Sequence, residues 1–327
     1  MKLAFFDAKP YDIASFEKPL AEANITVKYF DTHLNGDTAW LAYGYDAVCI
    51  FVNDVVDEKV VRILHEECGV KVIVLRCAGY NNVDINACAG KIPVFRVPAY
   101  SPYAVAEHAM ALLLTINRRT HKAYARTRDF NFSLTNLCGF DLHGKTVGVI
   151  GAGKIGQVFA DICKGFGMKV LAYDKFPNPN SGLEYVDLHT IFRKSDIISL
   201  HCPLTDETHH MISYGSIGMM RQGVTIINTS RGGLIDTDAL IDGLLARKVG
   251  AACLDVYEEE ADIFFEDRSG HIMDDEKLVR LIAMPNVLVT SHQAFLTEEA
   301  LDNIAATTVD NLQKFAEGNN NPVTQVC

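Results

Sequence analysis

Three ionisable residues follow buried strands in the second half of the chain and form its strongest chemical signal. Arg231 follows the strand VTIINTS, Glu260 follows GAACLDVY, and His292 follows VLVTS. In an open parallel sheet, ligands bind beyond the carboxyl ends of the strands. We therefore expect these three side chains to meet at one edge of a sheet.

The three side-chain types suit hydride transfer to the carbonyl of a 2-oxo acid. Arg231 offers a planar fork of donors that can hold the substrate carboxylate and polarise the carbonyl. Protonated His292 can deliver a proton to the oxygen as it becomes an alkoxide. Glu260, if hydrogen-bonded to the imidazole, would orient it and stabilise its charged form. Together they form a plausible anchor, acid and orienting group.

Each residue also has an ordinary structural interpretation. Arg231 could be an exposed turn residue before the glycines at 232–233. Glu260 ends the acidic run at 258–260, and such runs are often solvated loops. His292 could be a structural histidine. The catalytic hypothesis therefore depends on the convergence of the three residues and not on any one of them.

A glycine turn supplies the second half of the predicted chemistry. Residues 147–156 read VGVIGAGKIG, which indicates a strand, a tight turn and the start of a helix. Gly151 permits the turn, Gly153 lets the backbone approach a pyrophosphate, and Gly156 lets the helix pack closely on the sheet. The helix N-terminus attracts the phosphates. Asp174, at the end of VLAYD, would bind an adenosine ribose, which favours NAD. The alternative is that the glycine turn is only structural and binds nothing.

Two blocks of alternating strands and helices must position these residues. The first hundred residues and residues 145–293 both show the βαβ pattern of a parallel sheet. Between them, residues 101–119 predict a long helix that is apolar on nearly every face, and we expect it to be buried between domains or subunits. Residues 121–143 read as more polar and irregular. A last helix over 297–317 is expected to pack back on the first domain.

The predicted fold is α/β, with two parallel-sheet domains. A Rossmann NAD-binding domain at 100–296 is inserted into a discontinuous, flavodoxin-like substrate (catalytic) domain at 1–99 and 297–327. In the substrate domain a strand ends in RCAG (76–79), and the N–H groups of this turn could form an anion nest or an ordinary turn. Tyr100 lies at the domain crossing, where it could contact a substrate or fill the hinge.

Bulk properties exclude several classes of partner. The 327 residues carry a net charge of −11, which argues against nucleic acid or an anionic membrane surface as a partner. No apolar stretch approaches the length of a membrane span, and no secretory signal is evident. The nine cysteines are scattered without a CxxC pair, so we expect no metal site and a reducing cytoplasm.

The chain as a whole resembles the D-2-hydroxyacid dehydrogenase family, and within it the branch that acts on D-lactate. The stretches that carry the resemblance are RCAGYNNVD (76–84), VPAYSPYAVAEHA (97–109), GKTVGVIGAGKIGQ (144–157), HCPLT (201–205), NTSRGGLID (228–236), LDVYEEE (254–260) and SHQAF (291–295). Their combination is highly specific, and it covers essentially the whole sequence.

The resemblance implies an NAD-dependent reduction of pyruvate to D-lactate, with Arg231, Glu260 and His292 as the catalytic set. It implies that a small 2-oxo acid is bound by Arg231, Ala78, Gly79 and Tyr100. The implied cofactor contacts are Gly151, Gly153, Lys154, Ile155, Gly156, Asp174, Cys202, Pro203, Thr208, Thr229, Ser230, Arg231 and Asp255. It also implies a homodimer joined largely through the cofactor domain.

Two other functions stay open at this stage. One is a D-2-hydroxyacid dehydrogenase for a larger oxo acid, of the phenyllactate or 2-hydroxyisocaproate type. The other is an NAD-sensing protein resembling a corepressor, since fold alone does not fix function. A formate dehydrogenase is disfavoured because that branch has glutamine at the position of Glu260.

Two positions bear on how closely the chain follows the family pattern. Ser230 stands where the family often has glycine. Lys175 could accept a 2′-phosphate, although Asp174 would repel it.

Overall fold

The protein is described by a computed structural model that covers residues 1–261, 263–319 and 322–327. The chain divides into two compact units, each with its own parallel sheet. Unit 1 comprises Met1–Ser101 and Leu296–Cys327, and unit 2 comprises Pro102–Phe295. The α/β class with two parallel sheets agrees with the prediction from the sequence.

Unit 1 is built on a sheet of five parallel strands. These are β1 (Lys2–Phe5), β2 (Thr26–Tyr29), β3 (Ala47–Ile50), β4 (Val72–Leu75) and β5 (Val94–Phe95). Their order is β2-β1-β3-β4-β5, which is the flavodoxin-like arrangement. The strands β3 and β4 are buried along their whole length, as expected for apolar strands covered on both faces.

Three helices connect the strands of unit 1. They are α1 (Pro10–Glu22), α2 (Glu58–Arg62) and α3 (Ile85–Cys88). The side chains of Asp57 and Asp84 cap α2 and α3 by accepting backbone N–H groups of the first turn. The stretch EKVVRILHEE predicts one helix, but the structure continues α2 as a π-helical turn over Ile63–Glu67.

A buried arginine fixes the end of β4. Arg76 donates from Nε to Asp12 Oδ1 at 3.2 Å and from Nη1 to the Phe6 carbonyl at 3.1 Å. Its Nη2 donates to the Asp7 carbonyl at 2.6 Å. Because Arg76 is the first residue of the RCAG turn, this network anchors the backbone that leads to Ala78.

Unit 2 contains seven parallel strands in the order β12-β11-β10-β9-β6-β7-β8. They are β6 (Thr146–Ile150), β7 (Lys169–Tyr173), β8 (Glu184–Tyr185), β9 (Ile197–Leu200), β10 (Val224–Asn228), β11 (Val249–Leu254) and β12 (Val287–Val289). The strand order reverses between β6 and β9. Such a switch point opens a crevice at the carboxyl ends of the strands, where open α/β sheets bind their ligands.

Helices cover both faces of this sheet. They are α4 (Pro102–Arg118), α5 (Thr120–Arg128), α6 (Lys154–Gly165), α7 (Leu188–Lys194), α8 (Tyr214–Met219), α9 (Thr237–Leu245) and α10 (Glu276–Ala283). One apolar cluster packs helices α4 and α6 against the sheet. A second cluster packs helices α7, α8, α9 and α10 against it. The sheet is therefore the centre of the unit 2 core.

The structure corrects one expectation about the segment that begins unit 2. Helix α4 packs its apolar side chains against α6 and the sheet of the same unit. Residues 121–143 are not irregular throughout, since α5 covers their first part. No residue of α5 is buried, so the helix lacks the apolar periodicity that would have predicted it.

The last helix, α11 (Glu298–Ala316), belongs to unit 1, where it packs against α1 and β4 as expected. Within the described part of the chain, α11 and every other helix falls short of the length and apolarity needed to cross a membrane.

Candidate active site and cofactor site

The glycine turn lies at the switch point between β6 and β9. Gly151 has a φ of +92°, and a Cβ there would lie 2.5 Å from the His201 carbonyl carbon. A Cβ on Gly156 would lie 2.0 Å from the Gly151 carbonyl oxygen, so α6 can approach the turn only because this residue is glycine. A Cβ on Gly153 would meet no protein atom within 4 Å. The space beside Gly153 is therefore open to a ligand.

Helix α6 begins at Lys154, with Gly153 as its N-cap. The N–H groups of Lys154 and Ile155 belong to the first turn, where a helix offers no carbonyl partners. They and the positive end of the helix dipole suit a pyrophosphate beside the open face of Gly153. Each glycine thus has the geometry that dinucleotide binding requires.

Asp174 is held against this turn at the end of β7. Its Oδ2 accepts the Ala152 N–H at 2.7 Å, and its Oδ1 accepts the Phe176 N–H at 2.8 Å. The carboxylate is thereby fixed beside the glycine turn, where it would repel a 2′-phosphate. The neighbouring Lys175 Nζ lies 2.5 Å from Glu207 Oε2 in an exposed ion pair. The cation that could have attracted a 2′-phosphate therefore already has a carboxylate partner.

Most of the other predicted cofactor contacts of unit 2 follow β9 and β10. The Thr229 hydroxyl is buried and has no hydrogen-bond partner among the described residues, so a ligand could supply one. Ser230 Oγ donates to the Cys202 carbonyl at 2.6 Å, and Thr208 Oγ1 donates to the Pro203 carbonyl at 2.7 Å. These two bonds brace the loop after β9.

Cys202 has no sign of reactivity. Burial, together with the nearby charge of Asp174, raises the pKa of its thiol to about 11. A thiol with this pKa is almost entirely protonated at neutral pH, and only the thiolate is a good nucleophile. We assign Cys202 a packing role beside the cofactor site.

Glu260 and His292 form a hydrogen-bonded pair. His292 Nδ1 lies 2.7 Å from Glu260 Oε1, and the Tyr257 N–H donates to Glu260 Oε2 at 2.8 Å. One carboxylate oxygen is thus fixed by the backbone while the other holds the imidazole. The second ring nitrogen, Nε2, remains as the group that can exchange a proton with a substrate.

Arg231 leads into the short 3₁₀ turn Gly232–Leu234 after β10. Its Nη1 donates to the Ser230 carbonyl at 2.7 Å, and its side chain is partly exposed. A Cβ on Gly232 would lie 2.0 Å from the Tyr257 carbonyl oxygen. This glycine therefore allows the loop that carries Arg231 to approach the loop that carries Glu260, which brings two predicted catalytic loops together.

Asp255 is the centre of the hydrogen bonds that position His292. It is fully buried, and its Oδ1 accepts the Thr290 hydroxyl at 2.6 Å and the Gln293 N–H at 3.0 Å. Its Oδ2 accepts the Ala294 N–H at 2.8 Å. Burial would raise the pKa of this carboxyl, but hydrogen bonds from His108, Thr290 and Ala294 outweigh it and lower the pKa. Asp255, predicted as a cofactor contact, thus also organises the loop after β12.

The role of His108 at this site was not predicted from the sequence. Its Nε2 lies 3.3 Å from Asp255 Oδ1 and 3.2 Å from Thr290 Oγ1. The only signal was a polar residue within the apolar helix α4.

The acidic run 258–260 is also not a plain solvated loop, because Glu258 and Glu260 both accept hydrogen bonds while Glu259 is exposed.

The predicted substrate contacts of unit 1 lie after β4 and at the unit boundary. The carbonyl of Ala78 accepts Arg96 Nη1 at 2.8 Å. No acceptor among the described residues engages the N–H groups of Ala78 and Gly79. These N–H groups are available for an anion, as the nest hypothesis requires. The Tyr100 carbonyl accepts Asn303 Nδ2 at 3.0 Å.

Fold and site together define an NAD-dependent dehydrogenase scaffold, and comparisons with known proteins give the family. Residues 110–294 match the model of the D-isomer specific 2-hydroxyacid dehydrogenase NAD binding domain. The chain is 50% identical over 326 residues to the D-lactate dehydrogenase of Escherichia coli, which covers 98% of this chain and 99% of that protein. It is 51% identical to a 2-hydroxyacid dehydrogenase homolog of Haemophilus influenzae, covering 97% of each.

The similarity extends to three dimensions. The solved apo-structure of the Escherichia coli D-lactate dehydrogenase covers 100% of both chains with a TM-score of 0.92 and 47% identity. The chain therefore belongs to the D-isomer specific 2-hydroxyacid dehydrogenase family, whose members are NAD-dependent oxidoreductases. The predictions of family, fold class and cofactor are confirmed.

Replacing Gly153 by valine tests the cofactor site. The side chain would fill the open space beside the turn, so we expect NADH affinity to fall by about tenfold or more, which is about 1.4 kcal/mol. The backbone of Gly153 is extended, with φ −70° and ψ −164°, so the fold should lose no more than about 1 kcal/mol of stability. NADH fluorescence titration and thermal melting would measure both.

Gly165→Ala is the matched control, because a Cβ at Gly165 also meets no atom within 4 Å but lies at the far end of α6. It should leave NADH affinity unchanged. Parental affinity in the Gly153→Val variant would show that the pyrophosphate does not lie at this turn.

Proposed function

We propose that the protein reduces pyruvate to D-lactate with NADH. The observation that carries the proposal is the 2.7 Å contact between His292 Nδ1 and Glu260 Oε1. The pair follows strands of the sheet that also carries the glycine turn. The high identity to a D-lactate dehydrogenase supports pyruvate as the substrate. The free state of all nine cysteines supports a cytoplasmic location.

In the proposed reaction NADH supplies a hydride to the carbonyl carbon, and the chain supplies position and charge. Arg231 holds the substrate carboxylate and polarises the carbonyl. As the hydride arrives, the carbonyl π electrons move to oxygen, and His292 transfers the proton of Nε2 to that oxygen. The products are NAD⁺, the 2-hydroxy acid and a neutral imidazole, which regains its proton from solvent. Glu260 stabilises the imidazolium before the transfer.

Unit 1 is proposed to complete substrate recognition. The unengaged N–H groups of Ala78 and Gly79 would bind the substrate carboxylate, and Tyr100 would contact the small substrate. The alternative function is reduction of a larger 2-oxo acid, of the phenyllactate or 2-hydroxyisocaproate type, with the same catalytic residues. An NAD-sensing binding protein is the weaker alternative, because it has no need for the paired imidazole and carboxylate.

The reaction is tested by the loss of NADH absorbance with a panel of 2-oxo acids. We expect the highest kcat/KM with pyruvate. His292→Gln should lower kcat by about 10²–10⁴-fold, the usual effect of losing a general acid, while NADH binding is retained. The exposed His189 offers a matched control, and His189→Gln should keep parental activity.

A preference for bulkier oxo acids would instead support the alternative dehydrogenase. Failure of every oxo acid to oxidise NADH would overturn the enzyme hypothesis, and His292→Gln activity within a few-fold of the parent would remove the acid assignment.

We further propose a homodimer formed through the segment 129–141 of unit 2, here called the arm. Its large apolar side chains face solvent, with Phe130, Phe132 and Leu134 exposed by 83%, 71% and 81%. Asn117 holds the end of the arm through two hydrogen bonds with the Phe140 backbone, of 2.8 and 2.9 Å. An anchored apolar patch of this kind is typical of a protein–protein interface.

Light scattering would test the dimer, with an expected mass of twice the 36.1 kDa of one chain. Substituting Phe130, Phe132 and Leu134 by serine should shift the mass toward one chain. A parental mass of 36.1 kDa, or an unchanged mass in the triple variant, would contradict an arm-mediated dimer.

A further inference from the structure

Two histidines and a glutamate meet outside the residues used by the proposed reaction. His209 and His210 lie in the loop between β9 and α8, and Glu258 lies in the loop after β11. One potential ligand atom from each residue lies within 4.8 Å of the other two. The rings of His209 and His210 stack with their centroids 3.8 Å apart. We call these three residues the His209–His210–Glu258 cluster.

Hydrogen bonds hold both oxygens of the Glu258 carboxylate in the cluster. Glu258 Oε1 lies 2.5 Å from His210 Nε2, while its Oε2 accepts the Thr237 hydroxyl at 2.7 Å. Metal-binding carboxylates are commonly fixed by such an outer hydrogen bond.

We propose that this cluster is a binding site for a divalent transition metal of the zinc class. Two imidazoles and one carboxylate form a His₂Glu set, which binds zinc and leaves a fourth position open to water or another ligand. Imidazole ligands select zinc, copper or nickel over magnesium and calcium, which prefer oxygen. The bound ion replaces the direct hydrogen bond between His210 and Glu258.

The cluster connects the loops that carry the predicted catalytic residues. The His210 N–H donates to the Gly233 carbonyl at 2.9 Å, two residues beyond Arg231. Glu258 precedes Glu260 by two residues. A metal ion at the cluster therefore joins the loop after β9 to the loop after β11 and, through Gly233, to the loop after β10. We infer that metal binding stiffens this edge of unit 2.

The experiment is a titration of the full-length, metal-free protein with Co²⁺ alone, followed by displacement with Zn²⁺. The parent should develop a visible d–d absorption band that Zn²⁺ abolishes, and its melting temperature should rise with Zn²⁺. Loss of an outer partner, a residue that hydrogen-bonds a metal ligand, lowers metal affinity by about 10–100-fold. His209→Ala and Glu258→Gln remove ligands themselves, so they should weaken Co²⁺ binding by more than this. Thr237→Val, which removes that outer partner, should fall within this range.

His189→Ala is the matched control, since His189 is exposed in the same unit and lies outside the cluster. It should bind Co²⁺ like the parent. A thiolate charge-transfer band would indicate coordination by cysteine instead and would overturn the proposal. Absence of a d–d band with excess Co²⁺, or parental affinity in His209→Ala, would also overturn it. Dehydrogenase activity can be measured without added metal, so the proposed function and this site can fail independently.

Discussion

The buried carboxylate of Asp255 is the interaction on which the geometry of the active-site edge depends. It lies at the end of β11 and accepts hydrogen bonds from Thr290, Gln293 and Ala294 around His292. The His292 N–H donates to the Asp255 carbonyl at 2.7 Å, and His292 adopts a left-handed φ of +52°. Left-handed backbone is unfavourable for a non-glycine residue and persists where surrounding bonds enforce it. The hydrogen bonds of the loop thus position the backbone of His292, the proton donor, and its side chain contacts Glu260.

The cofactor half of the site follows the same principle of a fixed carboxylate beside an open space. Asp174 accepts the Ala152 N–H and so ties β7 to the glycine turn, while Gly153 leaves room for a ligand. The preference for NAD then follows from charge, because the fixed carboxylate would repel a 2′-phosphate. Both halves use backbone hydrogen bonds to hold charged groups, which reduces the reorganisation needed when ligands bind.

Much of this arrangement is predictable from sequence because it depends on local patterns. The buried strands, the glycine turn, and the placement of Arg231, Glu260 and His292 after strands follow from apolar runs and turn residues. Helix α5 does not, since none of its residues is buried and its pattern is polar. The partners of Asp255 are also not predictable, because His108 reaches it only when α4 packs on the sheet. The same applies to His209, His210 and Glu258, which three-dimensional loop packing brings together.

The central claim is that Glu260 acts on the reaction through His292. A double-mutant cycle in kcat/KM for pyruvate, with Glu260→Gln, His292→Gln and the double variant, tests it most directly. Residues that act as one unit are strongly non-additive. The account predicts that the double variant is no slower than His292→Gln alone. Losses in the two single variants that add up in the double variant would show that Glu260 acts independently of the imidazole and would contradict the account.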